Sequence, residues 1–174
     1  MKKFIISIDA GTTSNRSILF DLKGRPVFSS QKEFTQYFPK SGWVEHNPDE
    51  IWKTTLKTLK DVILKAKKLK GKVLTIGITN QRETTVLWNK KTGKPVYNAI
   101  VWQDRRQEEF CAKLRKQNKD TMIFNKTGLL IDSYFSGTKI KWILDHVPKA
   151  KKLMNNNQLL FGTIDSFLIW RFTK

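Results

Sequence analysis

The stretch Lys3-Phe4-Ile5-Ile6-Ser7-Ile8-Asp9-Ala10-Gly11-Thr12-Thr13-Ser14-Asn15-Arg16-Ser17-Ile18-Leu19-Phe20-Asp21-Leu22 holds two apolar runs joined by a small, polar link. Residues 3–9 read as a buried strand and residues 16–22 as a second. Lys23-Gly24-Arg25-Pro26 is a turn, and residues 27–36 supply a third strand, so the chain is expected to open on an antiparallel meander. Asp9 closes the first strand. Gly11 allows a tight turn and a close backbone approach, and the hydroxyls of Thr12, Thr13 and Ser14 follow, with Arg16 behind them. Such a hairpin can wrap the phosphates of a nucleotide, with the acid holding Mg²⁺. The plainer alternative is a hairpin whose turn is merely rich in hydroxyls. No Gly-Lys-Ser/Thr follows, so this is not a Walker-type P-loop.

Working outward, residues 37–46 read as a loop and residues 48–70 as a helix. Asn47 is its N-cap, Pro48 its first residue, Glu50 the partner in a capping box and Gly71 its stop. Trp52, Thr55, Leu56, Leu59, Val62, Ile63 and Ala66 give that helix one apolar face, and lysines fill the other. Residues 72–78 are expected to form a strand buried on both faces. Further strands are read at 84–88, 99–102 and 159–161. Helices are read at Asp104 onward (capped by Asp104, burying Phe110, Cys111 and Leu114), at 120–126, from Ser136 as cap, and at 163–172. Strands and helices in this order make an α/β arrangement with a mixed sheet and helices on both faces. No linker, repeat or low-complexity stretch divides the 174 residues.

Basic residues number 33 against 15 acidic, a formal net charge of +18. An excess of that size raises nucleic acid or an anionic membrane as a partner. The lysines are spread along the whole chain, however, and the sequence is also rich in Ile and Asn, which share AT-rich codons with Lys. Codon bias and solubility therefore outweigh a nucleic-acid interface, and no specific nucleic acid is expected. No apolar run approaches the ~20 residues of a membrane span, so no membrane insertion is expected. Cys111 is the sole cysteine, which precludes an intrachain disulfide and suits a reducing, cytoplasmic setting.

Three further constellations bear on chemistry. Thr79-Asn80-Gln81-Arg82-Glu83-Thr84-Thr85 follows a strand, where functional loops of α/β folds tend to lie. Arg82 offers five donors beside the acceptor oxygens of Glu83, which suits a polyol whose hydroxyls both donate and accept. The alternative is a surface ion pair of little consequence. In Ala99-Ile100-Val101-Trp102-Gln103-Asp104, Trp102 can form a flat wall for the carbon face of a polyol or serve as ordinary core. In Asp132-Ser133-Tyr134-Phe135-Ser136-Gly137-Thr138-Lys139, Tyr134 offers a hydroxyl just before a helix, or simply covers a loop.

Together, Asp9-Ala10-Gly11-Thr12-Thr13-Ser14, Gly42-Trp43-Val44-Glu45-His46, Asn80-Gln81-Arg82-Glu83-Thr84-Thr85, Asn98-Ala99-Ile100-Val101-Trp102-Gln103 and Tyr134-Phe135-Ser136-Gly137-Thr138-Lys139 form a specific combination. It resembles the N-terminal domain of the FGGY carbohydrate kinases, over essentially the whole chain. The Trp-Val-Glu-His and Asn-Gln-Arg-Glu-Thr-Thr strings are similar to members that act on glycerol rather than on xylulose or gluconate. The resemblance implies an actin-like, ribonuclease-H-like fold and transfer of the ATP γ-phosphoryl group to glycerol. It implies that Arg82, Glu83 and Tyr134 hydrogen-bond glycerol and that Trp102 packs on its carbons. Thr12, Thr13 and Ser14 would line the ATP phosphates beside Arg16, and Asp9 would help bind Mg²⁺. Ala10 and Asp104 depart from the residues many members carry there, Gln and Cys. The resemblance also implies that residues 1–174 are an FGGY N-terminal domain cut short, with the general-base Asp and the C-terminal ATP-binding domain beyond Lys174. On that reading the fragment alone is inactive, and the full-length enzyme could form a homo-oligomer.

Overall fold

A computed structural model describes residues 1–174. In chain order the elements are β1 (Lys2–Ala10), β2 (Ser14–Asp21), β3 (Pro26–Glu33), β4 (Glu45–His46), α1 (Pro48–Lys68) and β5 (Gly71–Asn80). There follow β6 (Val86–Asn89), β7 (Ala99–Ile100), α2 (Glu108–Lys116), α3 (Asp120–Thr127), α4 (Ser136–His146), α5 (Pro148–Asn155), β8 (Leu159–Gly162) and α6 (Ile164–Thr173). They fall into two compact units whose segments alternate along the chain. Unit 1 is Met1–Gln36, Asn47–Gln81 and Thr163–Lys174, and unit 2 is Tyr37–His46 and Arg82–Gly162.

Unit 1 is built on a four-stranded sheet of order β3-β2-β1-β5. The first three strands run antiparallel, as the meander predicts, and β5 runs parallel to β1, which makes the sheet mixed. The period-two pattern of β1 sends Phe4, Ile6 and Ile8 to one face, where Leu19 of β2 joins them against Leu59, Val62 and Ala66 of α1. Burying each of these side chains larger than alanine contributes about 1.5–3 kcal/mol. Nearer the N-terminus of α1 the contact is polar. Asn15 donates to Ile51 O (2.9 Å) and Thr54 Oγ1 (2.6 Å), and Ser17 Oγ lies 2.8 Å from Thr58 Oγ1. The buried stripe of α1 therefore includes Thr54 and Thr58, while Leu56, expected inside, is exposed.

Several local expectations are corrected. Asn47 caps α1 as predicted, accepting from Asp49 N and Glu50 N, but Glu50 does not complete a capping box. Its carboxylate instead accepts from Thr35 N and Oγ1. The left-handed residue after α1 is Lys70 (φ 51°), not Gly71. Gly71 begins β5, where a Cβ would come 2.1 Å from the Phe4 ring, so the glycine serves a close approach rather than a helix stop. β5 itself is not buried: Leu74 is 48% and Ile76 43% exposed. It lies at the sheet edge with β1 as its sole neighbour, so apolar composition alone misreads it.

Unit 2 contains two short antiparallel pairs, β4 with β7 and β6 with β8. The pair formed by β4 falls inside the stretch read as a loop, because two residues carry no readable period. Leu87, Ile100, Ile143 and Ala150 form the core there. In the segment expected as a helix from Asp104, α2 starts only at Glu108, and Cys111 alone is fully buried on it. Residues Pro148–Asn155, where the sequence marks no separate element, form a helix of their own opened by Pro148.

His46 is fully buried in β4, and burial pushes its pKa down to about 4. The unfolded chain takes up this proton near pH 6.5, the folded chain only near 4. Stability should thus be unaffected by His46 above pH 6.5 and fall by roughly 3 kcal/mol as the pH drops to 4. Urea titrations across this window should show the loss, and a His46→Gln variant should show a shallower one. Identical slopes would refute it.

Candidate functional site

In unit 1 the link between β1 and β2 is a three-residue turn, Gly11-Thr12-Thr13. A Cβ on Gly11 would come 3.1 Å from Ser14 O, so a side chain there would press on the backbone of the turn. Its carbonyls are tied back to the protein. Gln81 N and Nε2 donate to Ala10 O (3.0 Å) and Gly11 O (3.1 Å). Gln36 Nε2 donates to Thr12 O (3.1 Å) and Phe34 N to Thr13 O (3.3 Å). With the carbonyls held inward, Thr13 is exposed at the tip. The sequence reading did not find Gln36 and Gln81; only their distance in space, not in sequence, marks them as supports.

Asp9 and Arg16 are directly opposed in the β1–β2 register, so both side chains lie on the same face of the sheet. The Asp9 carboxylate has no hydrogen-bond or ion-pair partner in the protein. Arg16 Nε donates to Gln31 Oε1 (3.0 Å), and Gln31 Nε2 donates to Ser14 Oγ (2.8 Å), so Ser14 and Arg16 are anchored to β3 rather than free. No group of three or more His, Cys, Asp or Glu could hold a metal ion. Asp9 could therefore contribute only one ligand to a cation, which suits Mg²⁺, since it commonly keeps water and phosphate oxygens in its shell.

In unit 2 the residues Glu83, Trp102 and Tyr134 come together. Glu83 sits at φ 64°, a left-handed conformation disfavoured for a residue with a side chain. Its Oε2 accepts from Ser136 N (2.8 Å) and Ser136 Oγ (2.7 Å), so Ser136 is not the cap of α4 but its first residue, and Glu83 supplies the negative charge at that helix start. Oε1 of Glu83 has no partner in the protein. Trp102 N donates to Thr84 Oγ1 (3.2 Å), which fixes the tryptophan beside the Glu83 turn. The Trp102 and Tyr134 rings meet edge to face at 6.0 Å, and the Tyr134 hydroxyl has no partner in the protein. Arg82 is exposed and its guanidinium makes no hydrogen bond or ion pair within the protein; the surface ion pair with Glu83 does not form. An unpaired carboxylate oxygen, a phenol and an aromatic wall, with an unengaged guanidinium next in the chain, can receive a small polyhydroxy compound.

Asp104 does not cap a helix. It is fully buried and accepts from Val44 N (2.7 Å) and from Arg106 N, Nε and Nη2.

The chain matches the FGGY family of carbohydrate kinases, N-terminal domain, over residues 4–174. It belongs to that family. It is 56% identical over 174 residues to a glycerol kinase of Alkaliphilus metalliredigens, covering 100% of this chain and 35% of that protein. It is 58% identical over 172 residues to a glycerol kinase of Malacoplasma penetrans, covering 99% of this chain and 34% of that protein. Among solved structures, Plasmodium falciparum glycerol kinase with ADP superposes at a TM-score of 0.91 and 36% identity, over 97% of this chain and 34% of that one. The chain thus spans about a third of the length of the relatives it matches. No helix is long and apolar enough to cross a membrane.

Proposed function

We propose that this chain is the N-terminal part of an ATP-dependent glycerol kinase, transferring the γ-phosphoryl group of ATP to glycerol to give sn-glycerol 3-phosphate. The observation that carries the reading is the proximity of Glu83, Trp102 and Tyr134: Trp102 N bonds Thr84 next to Glu83, the Trp102 and Tyr134 rings lie 6.0 Å apart, and Ser136, two residues after Tyr134, holds Glu83 Oε2. The similarity to glycerol kinases over the full chain supports the choice of polyol.

On this reading Glu83 Oε1 and the Tyr134 hydroxyl bind glycerol hydroxyls, Arg82 folds down to donate to them, and Trp102 covers the carbon backbone. Thr12, Thr13 and Ser14 line the nucleotide phosphates, Arg16 faces their charge, and Asp9 gives Mg²⁺ one carboxylate oxygen. Bound Mg²⁺–ATP supplies the phosphoryl group and the charge neutralisation its transfer needs. The general base is assigned to the part of the relatives that lies beyond the match, together with the domain that covers adenine. The enzyme works in the cytoplasm, where ATP is at hand and Cys111 stays reduced.

The test joins residues 1–174 to the remainder of the Alkaliphilus metalliredigens protein and follows ADP release with glycerol, xylulose and gluconate in turn. Glycerol-dependent turnover is expected. Activity with xylulose or gluconate instead would place the chain with another sugar kinase of the family, and retention on nucleic acid that weakens steeply with salt would revive a basic binding module. In the same chimaera Arg82→Ala should lower kcat/KM for glycerol roughly ten- to a hundredfold, the worth of a lost hydrogen bond to a charged group. Unchanged kinetics in that variant would remove Arg82 from the site.

A further inference from the structure

Lys139 is fully buried, the one lysine of the chain that is. Its place is costly twice over. Burial of an ammonium is unfavourable unless every donor is satisfied, and a cation near the start of a helix opposes the helix dipole. Lys139 lies one turn into α4. The offset is visible: Nζ donates to Ser133 O (2.9 Å) and to Tyr134 O, and sits 6.0 Å from the centre of the Tyr134 ring.

We propose that Lys139 is a positioning residue of the polyol site: its ammonium clamps two successive carbonyls and so fixes where Tyr134 presents its ring and hydroxyl beside Trp102 and Glu83. The proposal rests on the reading of that constellation as the polyol site. The same helix holds both arms of the site. Ser136, at its start, takes the Glu83 carboxylate, and Lys139, one turn on, takes the Tyr134 backbone. Asp132 Oδ1 fixes the other side of the segment by accepting from Tyr134 N (2.6 Å) and from Arg105 Nη1 (3.1 Å). Removing the ammonium would leave the carbonyls of Ser133 and Tyr134 without this charged donor and free Tyr134 to swing from Trp102.

The clamp is sensitive to pH. Burial lowers the Lys139 pKa to about 8, against the pull of Glu83, Asp104 and Asp132, while Arg105 acts with the burial. Below pH 8 the donor is charged. Above it the amine is neutral, and hydrogen bonds from a neutral donor are roughly half as strong. The Glu83 carboxylate loses its facing cation at the same step. Glycerol affinity should therefore decline as the pH rises through 8.

The experiment uses the chimaera described above and compares wild type, Lys139→Met and the surface control Lys141→Gln. KM and kcat for glycerol are measured below and above pH 8, and hydrogen–deuterium exchange is followed in peptides spanning residues 131–138. Lys139→Met should raise KM about 10- to 100-fold with kcat little changed, speed exchange in that segment, and leave unit 1 peptides as in wild type. Its KM should show no step near pH 8, whereas wild type and Lys141→Gln should both show one. A Lys139→Met variant with wild-type KM and the same pH step overturns the proposal. So does a loss confined to kcat with exchange faster throughout unit 2, which would mark a purely structural lysine. If the wild-type chimaera does not phosphorylate glycerol, the functional reading fails, and the exchange data still decide the clamp: no acceleration in 131–138 refutes it. If Lys139→Met does not fold, the wild-type pH series decides, and a flat KM refutes it.

Discussion

Residues 1–174 alone are expected to release ADP from ATP and glycerol at least about 10²–10⁴-fold more slowly than the chimaera, since that is what a general base typically contributes. Near Trp102 and Tyr134, Asp132 has one oxygen held by Tyr134 N and Arg105 Nη1, and Glu83 has an unengaged oxygen. It is assigned to binding, and its other oxygen is committed to Ser136. Asp9, the other unpaired acid of interest, belongs to unit 1 and is assigned to Mg²⁺. Loss of the water exclusion and positioning that a closing domain gives would add to the deficit. Binding of phosphate by the turn at Gly11–Thr13 should persist weakly and fade with salt. The assay is coupled ADP release at equal concentrations of chain and chimaera. Comparable turnover by the two would mean that a base is present in these residues, and Asp9 and Asp165 would be the first to replace.

The largest stability effect is expected at Arg106. Its guanidinium is fully buried, bonded to Glu45 Oε1 (2.8 Å) and Asp104 Oδ2 (2.7 Å), whose side chains are 3% and 0% exposed. It lies 3.8 Å from the Trp43 ring centre and 4.6 Å from that of Trp142. Burial works against its charge, but hydrogen bonds to Asp104 and Glu45 outweigh it and hold the pKa above the usual value. Glu45 is held further by the Tyr97 hydroxyl (2.7 Å) and Asn98 Nδ2 (2.9 Å). Arg106→Met would strand two buried carboxylates and should cost about 3–5 kcal/mol in urea unfolding followed by tryptophan fluorescence. Neutralising the acids as well, with Glu45→Gln and Asp104→Asn, should recover part of the loss. A single variant as stable as wild type would show that water reaches the acids.

The regular elements of this fold could be read from the chain because period and caps point the same way. Phe4, Ile6 and Ile8 alternate, Asn47-Pro48 opens α1, and Gly128 ends α3 in the left-handed conformation. What escaped has a common cause, partners distant in sequence. An apolar run such as 73–78 looks alike in the middle of a sheet and at its edge. Asp104 reads as a cap until Arg106 and Val44 are seen to claim it, and Glu50 reads as half a capping box until Thr35 does. Of the candidate site, the strings single out Glu83, Trp102 and Tyr134, which the structure brings near one another. Lys139 is not singled out, because nothing in a lysine-rich sequence marks one lysine as buried.

The alternation of the two units has a consequence for synthesis. β5 leaves the ribosome with its Ile76 and Ile78 side chains uncovered, and α6, which belongs to unit 1, follows only after the whole stretch from Arg82 to Gly162. At roughly 5–20 residues per second this is a delay of several seconds. Only then can Phe172 meet Trp52 (4.7 Å between ring centres) and Arg171 reach Asp49 (2.9 Å). During that interval Ile76 and Ile78, which line a groove with Ile169 and Phe172, lack these neighbours. The nascent chain is thus most prone to sticking midway through translation, and a pause placed between codons 82 and 162 should lower its yield more than one placed after codon 174.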